Sequence, residues 1–151
     1  MNRILLFAAL ALVPLIPAGA AEPELNAVLS VMGYGHTVKV LVNGVDVGIT
    51  GGKSQSLRLF NKDHPWSAKA SPQMRARNFV LVPGVNEVVI EFTREPKSND
   101  RLTITLEAES YPGPLLDFTN TGRGSDRRVV KVQIEPKPPA GFKPIVITDA
   151  K

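Results

Sequence analysis

Arg101-Leu102-Thr103-Ile104-Thr105-Leu106-Glu107-Ala108-Glu109 decides the fold class. Successive side chains of an extended chain point to opposite faces, so Leu102, Ile104, Leu106 and Ala108 share one face. Thr103, Thr105, Glu107 and Glu109 share the other. A helix would spread the same apolar residues around its circumference. The segment is an amphipathic strand with one side on a core.

The same period of two recurs outward in both directions. Upstream, past a turn at 95–100, residues 87–93 place Val88, Ile90 and Phe92 on one face. Downstream, 128–135 do so with Val130, Val132 and Ile134. Further upstream, 36–42 and 45–49 flank Asn43-Gly44. Asn-Gly between β-branched runs signals a two-residue hairpin, because a type I′ turn needs positive φ at both central positions. A first strand is expected at 27–32, with Met32 in its apolar run, and another at 54–60 with Leu57 and Leu59 inward. Residues 75–82 are expected to form a strand stopped by the turn pair Pro83-Gly84. Beyond Pro112-Gly113-Pro114 come a short apolar piece at 115–118 and a loop at 119–127. The Pro-rich stretch 135–144 lacks the donors that mid-sheet pairing needs, and a last short strand is allowed at 145–148. No segment of ten or more residues carries a helical period, and no internal repeat is present. The expectation is one all-β domain, a single antiparallel β-sandwich, jelly-roll or immunoglobulin-like, of about eight short strands.

The chain opens with Met1-Asn2-Arg3, an apolar run from Ile4 to Ile16, and Pro17-Ala18-Gly19-Ala20-Ala21. A basic start, a short apolar run and small residues at the −3 and −1 positions make an export signal, cleaved after Ala20. Spanning a bilayer takes about 20 apolar residues, and Pro14 and Pro17 interrupt this run. The expected organisation is a signal peptide at 1–20, a sandwich at 21–135 and a Pro-rich tail at 136–151. The mature chain is then periplasmic or secreted, of bacterial look, with no membrane-spanning segment. An outer-membrane barrel would need strands of about 9–11 residues and aromatic girdles, whereas most of these strands are shorter and the chain has two Tyr and one Trp.

With no cysteine, the domain is held by packing alone, without the disulfides common in small exported proteins. The chain has 18 Lys+Arg against 14 Asp+Glu, and loss of Arg3 leaves 17 against 14. So small a surplus, with no recognisable motif, argues against nucleic acid as a partner.

Val42-Asn43-Gly44, Val47-Gly48 and Val82-Pro83-Gly84-Val85-Asn86-Glu87-Val88 resemble the jelly-roll, galactose-binding-like modules that accompany glycoside hydrolases. There, a strand ends in Asn-Gly and a Pro-Gly-x-Asn turn launches a later strand. The similarity covers about residues 36–93 and rests on turn formers. It implies a sandwich with a binding role and transfers no sugar-contacting residue.

No constellation selects a reaction. Metal ligation would draw on His36, His64, Met32 and Met74, which stand in four separate segments; no cofactor is expected. A Ser or Thr nucleophile would depend on one of two histidines, and no Gly-x-Ser-x-Gly elbow is present. Asp46, Asp63, Asp117 and Glu107 offer carboxylates with nothing to pair them. The expectation is a non-catalytic binding module. Two candidate surfaces stand out. One is the polar loop with His64, Trp66 and Arg75, where a tryptophan can stack on a sugar or anchor a protein; the plainer expectation is that Trp66 folds back to plug the sandwich. The other is Arg123, Arg127 and Arg128 in a glycine-containing loop, a phosphate or carboxylate clasp or, more plainly, a solvated surface. If the strand starts before Arg128, the two adjacent arginines point to opposite faces. The expected ligand is a protein partner or glycan of the cell envelope. The alternatives are an accessory subunit that pairs by an edge strand and, behind it, a sandwich-fold hydrolase.

Overall fold

The computed structural model describes residues 24–149. The signal-peptide expectation therefore lies outside the described residues. Ten strands run in order: β1 Asn26–Met32, β2 His36–Val42, β3 Val45–Asp46, β4 Ser54–Asn61, β5 Phe79–Leu81, β6 Gly84–Arg94, β7 Leu102–Ala108, β8 Leu116–Asn120, β9 Ser125–Ile134 and β10 Ile145–Asp149. Between β4 and β5 lie a 3-10 helix, Pro65–Ala68, and a helix α1, Pro72–Asn78. The strands make a six-stranded sheet ordered β10-β8-β7-β1-β4-β5 and a four-stranded sheet ordered β3-β2-β6-β9. An all-β sandwich is the result.

The alternating patterns settle which faces meet. In β7 the buried positions are Leu102, Ile104, Leu106 and Ala108, as their period requires. Val88, Ile90 and Phe92 of β6 and Val130, Val132 and Ile134 of β9 supply the facing layer. Phe92 meets Phe118 across the core with ring centroids 5.6 Å apart. Each such side chain removed from water contributes on the order of 1.5–3 kcal/mol.

The β2–β3 connection has the expected turn, with Asn43 at φ 49° and Gly44 at φ 79°. β3 is shorter than expected, pairing only at Val45 and Asp46. Val47 and Ile49 still bury their side chains beyond the ladder.

Four expectations need correction. The sandwich is not wholly antiparallel, because β4–β5 and β8–β10 are parallel pairs at the two margins of the larger sheet. The Pro-rich stretch carries the chain from β9 in one sheet to β10 in the other, a connection of the kind parallel pairing requires. Residues 75–78 are helical, not the start of a strand: Ser71 Oγ accepts from the Met74 N–H at 3.2 Å and Pro72 occupies the first turn. An N-cap serine followed by proline at N1 is a helix start. Met32 ends β1 with its side chain exposed rather than in the core. Strand β9 begins at Ser125, so part of the expected 119–127 loop is ladder.

Candidate functional site

Trp66 does not fold back into the sandwich; 61% of its surface is exposed. It stands on a base of buried rings. Phe60 and Phe79 stack at 4.9 Å between centroids where β4 and β5 run parallel, and His64 packs on Phe60 at 5.3 Å. Trp66 meets the edge of His64 at 6.1 Å. Aromatic pairs of this kind favour offset and edge-to-face contacts at 4.5–7 Å.

His64 fixes the platform through both ring nitrogens. Nδ1 accepts the Trp66 N–H at 3.0 Å and caps the 3-10 helix. An accepting Nδ1 leaves the proton on Nε2, which donates to Glu24 Oε2 at 2.7 Å. The Trp66 carbonyl then accepts from Lys69 and Ala70, closing the turn. His64 is therefore buried beneath the turn it holds, and Trp66 is the ring left exposed.

Beside Trp66 runs a groove of about 270 Å³ lined by Trp66, Lys69, Ala70, Met74 and Phe79. Its far wall is α1, a seven-residue helix with no buried residue. A helix this short is marginal by itself. Its ends hold it: Ser71 caps the start, and Asn78 Nδ2 donates to the Arg58 carbonyl of β4 at 2.9 Å. Arg75 is exposed on this helix but is not part of the groove lining. Met74, a metal-ligand candidate by residue type, is a wall of the groove, and Lys69 and Phe79 are lining residues that the sequence does not single out. Ser71-Pro72 is the signal that would have placed them.

The basic loop is arranged differently from a clasp. Arg94 Nη1 donates to the Thr121 and Gly122 carbonyls at 2.7 and 2.9 Å, and Asn120 bonds Gly122 from the other side, which fixes the turn into β9. Arg127 and Arg128 point to opposite faces. Arg127 lies on the solvent face with Nε 3.3 Å from Glu91. Arg128 turns toward the margin between the sheets, contacting Asp126 at 2.6 Å and Asp149 at 2.9 Å. Its hydrogen bond to Asp149 raises the guanidinium pKa above the ordinary arginine value. Arg123 and Arg128 share a cleft with Asp126 and Asp149, and both carboxylates are already engaged by Arg128.

The residues that carry the galactose-binding-like resemblance have structural work. Asn86 is fully buried. Its Oδ1 accepts from the Val82 N–H at 3.0 Å and from Asn43 Nδ2 at 2.8 Å, and its Nδ2 donates to the Val82 and Gly84 carbonyls at 2.7 and 3.1 Å. Asn43 Nδ2 also donates to the Val80 carbonyl at 2.8 Å, and its Oδ1 accepts from Glu87 N–H. The two amides stitch the outer edge of β5 to the hairpin of the opposite sheet.

His36 is buried, with Nδ1 2.8 Å from the Tyr34 carbonyl, remote in sequence from the other imidazole. Among the described residues no three His, Cys, Asp or Glu side chains group to hold a metal, and no helix is long and apolar enough to cross a membrane. No family model, curated protein or solved structure matches this chain.

Proposed function

We propose that the protein is a non-catalytic, exported β-sandwich binding module whose contact surface is the Trp66 groove, and that its ligand is a protein. The observation that carries this reading is a tryptophan 61% exposed on a base of buried, hydrogen-bonded rings. Leaving so large an apolar side chain in water is unfavourable, and a rigid aromatic anchor loses little entropy when covered. The lining favours protein over sugar. Glycan sites need polar side chains to meet ring hydroxyls, and Lys69 is the one charged or polar residue among those that line this groove. Lys69, with Arg75 on the neighbouring helix, suits an apolar side chain flanked by acidic ones. The likeness to galactose-binding-like modules supports a binding platform and names no ligand. Export rests on Ala18-Gly19-Ala20 after the apolar run, and N-terminal sequencing should begin at Ala21.

The chain has a single Trp, so its fluorescence reports on this surface alone. A synthetic peptide with Leu and Phe between Glu residues should shift the Trp66 emission to the blue and saturate. Lys69→Glu and Met74→Glu should each weaken that titration about tenfold or more. A saturable shift with neutral oligosaccharides instead would make the ligand a glycan. No shift with either at millimolar concentration would remove the groove as a binding face.

A further inference from the structure

Strand β9 ends the four-stranded sheet and is ten residues long. Which of its backbone groups reach the open side follows from the ladder. Arg94 N–H donates to the Gly124 carbonyl, and the register continues through Phe92↔Asp126, Ile90↔Arg128, Val88↔Val130 and Asn86↔Val132. Bonded pairs alternate in an antiparallel ladder. The even-numbered residues of β9 therefore bond β6, and Ser125, Arg127, Val129, Lys131 and Gln133 turn their N–H and C=O groups to the open side. On the neighbouring strand, Glu87 accepts from Asn43 N–H on its β2 side, which fits this alternation. The Arg127 N–H is taken by Asp126 Oδ1 at 2.7 Å. Among the described residues, the N–H groups of Val129, Lys131 and Gln133 have no partner on that side.

The residues with open backbone groups also carry the solvent-facing side chains, and these continue a pattern across the sheet. One row runs Lys39, Glu91, Arg127, alternating in charge. The next runs Leu41, Val89, Val129 and is apolar. A third sets Glu87 beside Lys131. On its paired side β9 thus faces Glu87-x-Val89-x-Glu91 of β6. On its open side, Arg127, Val129 and Lys131 present the same sequence of demands with nothing opposite. Opposite charges directly across a strand pair are favourable and like charges unfavourable.

We propose that the β9 edge is a strand-addition site for an extended segment of a partner protein reading Asp/Glu-x-Val/Ile/Leu-x-Asp/Glu. The acidic residues pair with Arg127 and Lys131, the apolar residue covers Val129, and the open N–H and C=O groups of 129–133 complete the ladder. The partner residue opposite Val132, just beyond the motif, would face a cleft of about 250 Å³ whose lining includes Leu115, Val132, Phe142 and Ile145. A second copy of this chain is the poorer occupant. Antiparallel pairing of two β9 strands about Val129 sets Arg127 against Lys131, and in-register parallel pairing sets each cation against itself. The site gives the accessory-subunit alternative a specific edge and register, and it does not depend on the Trp66 groove.

The test uses the exported protein, isotope-labelled, with the end-blocked peptide Ser-Thr-Glu-Thr-Val-Thr-Glu-Thr-Ser and a control with Lys in place of each Glu. Amide exchange at Val129, Lys131 and Gln133 should slow at least about tenfold on addition of the acidic peptide, while Arg128, Val130 and Val132 hold their values. The acidic peptide should bind about tenfold tighter than the basic one. Arg127→Glu with Lys131→Glu should reverse that preference, and the gentler Arg127→Ala with Lys131→Ala should abolish it. Val129→Pro should eliminate binding with the melting temperature kept. Equal binding of both peptides, protection confined to other strands, or no protection at millimolar peptide would overturn the proposal. So would slowing of the same amides with rising protein concentration alone, which would give the edge to a second copy. Trp66 emission should not change in any of these titrations, so failure here is separable from failure at the groove.

Discussion

The two ends of this sandwich treat their edge strands in opposite ways. At one end β5 is three residues long, α1 packs beside it, and its outward Val80 carbonyl and the following Val82 groups are bonded by Asn43 and Asn86. At the other end β9 runs ten residues with a row of open backbone groups. Its neighbour across the sheets, β10, turns only Val146 and Thr148 outward, because Ile145 and Asp149 bond toward β8. Long open edges invite pairing with other chains, and proteins commonly shorten or cover them. The contrast teaches that covering an edge is within this fold's means. The uncovered edge is the one whose side chains carry a charge pattern, and the covered one is where an aromatic platform was built on the covering segment.

Proline substitution breaks the comparison most sharply. Val130→Pro removes a ladder donor and a buried side chain, and should cost about 3 kcal/mol or more in urea unfolding. Val129→Pro, one residue away, removes a donor that faces the open side and should fall near neutral, since proline is tolerated on edge strands. Equal losses at the two positions would mean that the β9 edge is covered.

At the stitched end the expected losses are smaller. Asn86→Ala strands Val82 N–H and two carbonyls in a buried site and should cost roughly 2–3 kcal/mol. Gly44→Val forces a β-branched residue to positive φ, at about 1–2 kcal/mol. Nothing lies within 4 Å of a Cβ there, so the loss would be conformational. Asp46→Ala should cost less, releasing an exposed bond from the Gly48 N–H and a long, exposed ion pair with Lys39 at 4.0 Å. Unchanged melting temperatures for both Gly44→Val and Asn86→Ala would detach the resemblance-bearing residues from any structural role.

Trp66→Ala should move stability by no more than about 0.5 kcal/mol, the range of surface changes, while removing the groove's binding signal. A large stability loss would mean that Trp66 is core, as the plainer expectation from the sequence had it.

What the residues disclose before folding depends on how local the cause is. The periods of β6, β7 and β9 and the Asn43-Gly44 turn are local, and all four are present, although β6 and β9 begin at Gly84 and Ser125, ahead of the expected 87 and 128. The complementary runs Glu87-x-Val89-x-Glu91 and Arg127-x-Val129-x-Lys131 are also legible, but only register reveals that they lie side by side. The parallel pairing of β5 with β4 and of β10 with β8 depends on long-range packing that no window shows. Helix α1 is too short for a period, and its one local mark was Ser71-Pro72. Trp66 is legible as a tryptophan in a polar loop. Its exposure follows from the ring of His64, buried by Phe60 at the end of the preceding strand and by Phe79, which the parallel β4–β5 pairing sets beside Phe60.

Amide hydrogen exchange in the free protein tests the central contrast most directly. Val129, Lys131 and Gln133 should exchange rapidly while Arg128, Val130 and Val132 are protected by the β6 ladder, so that protection alternates residue by residue along β9. Uniform protection of residues 128–133 in dilute protein would contradict the account, because it would show the edge already closed.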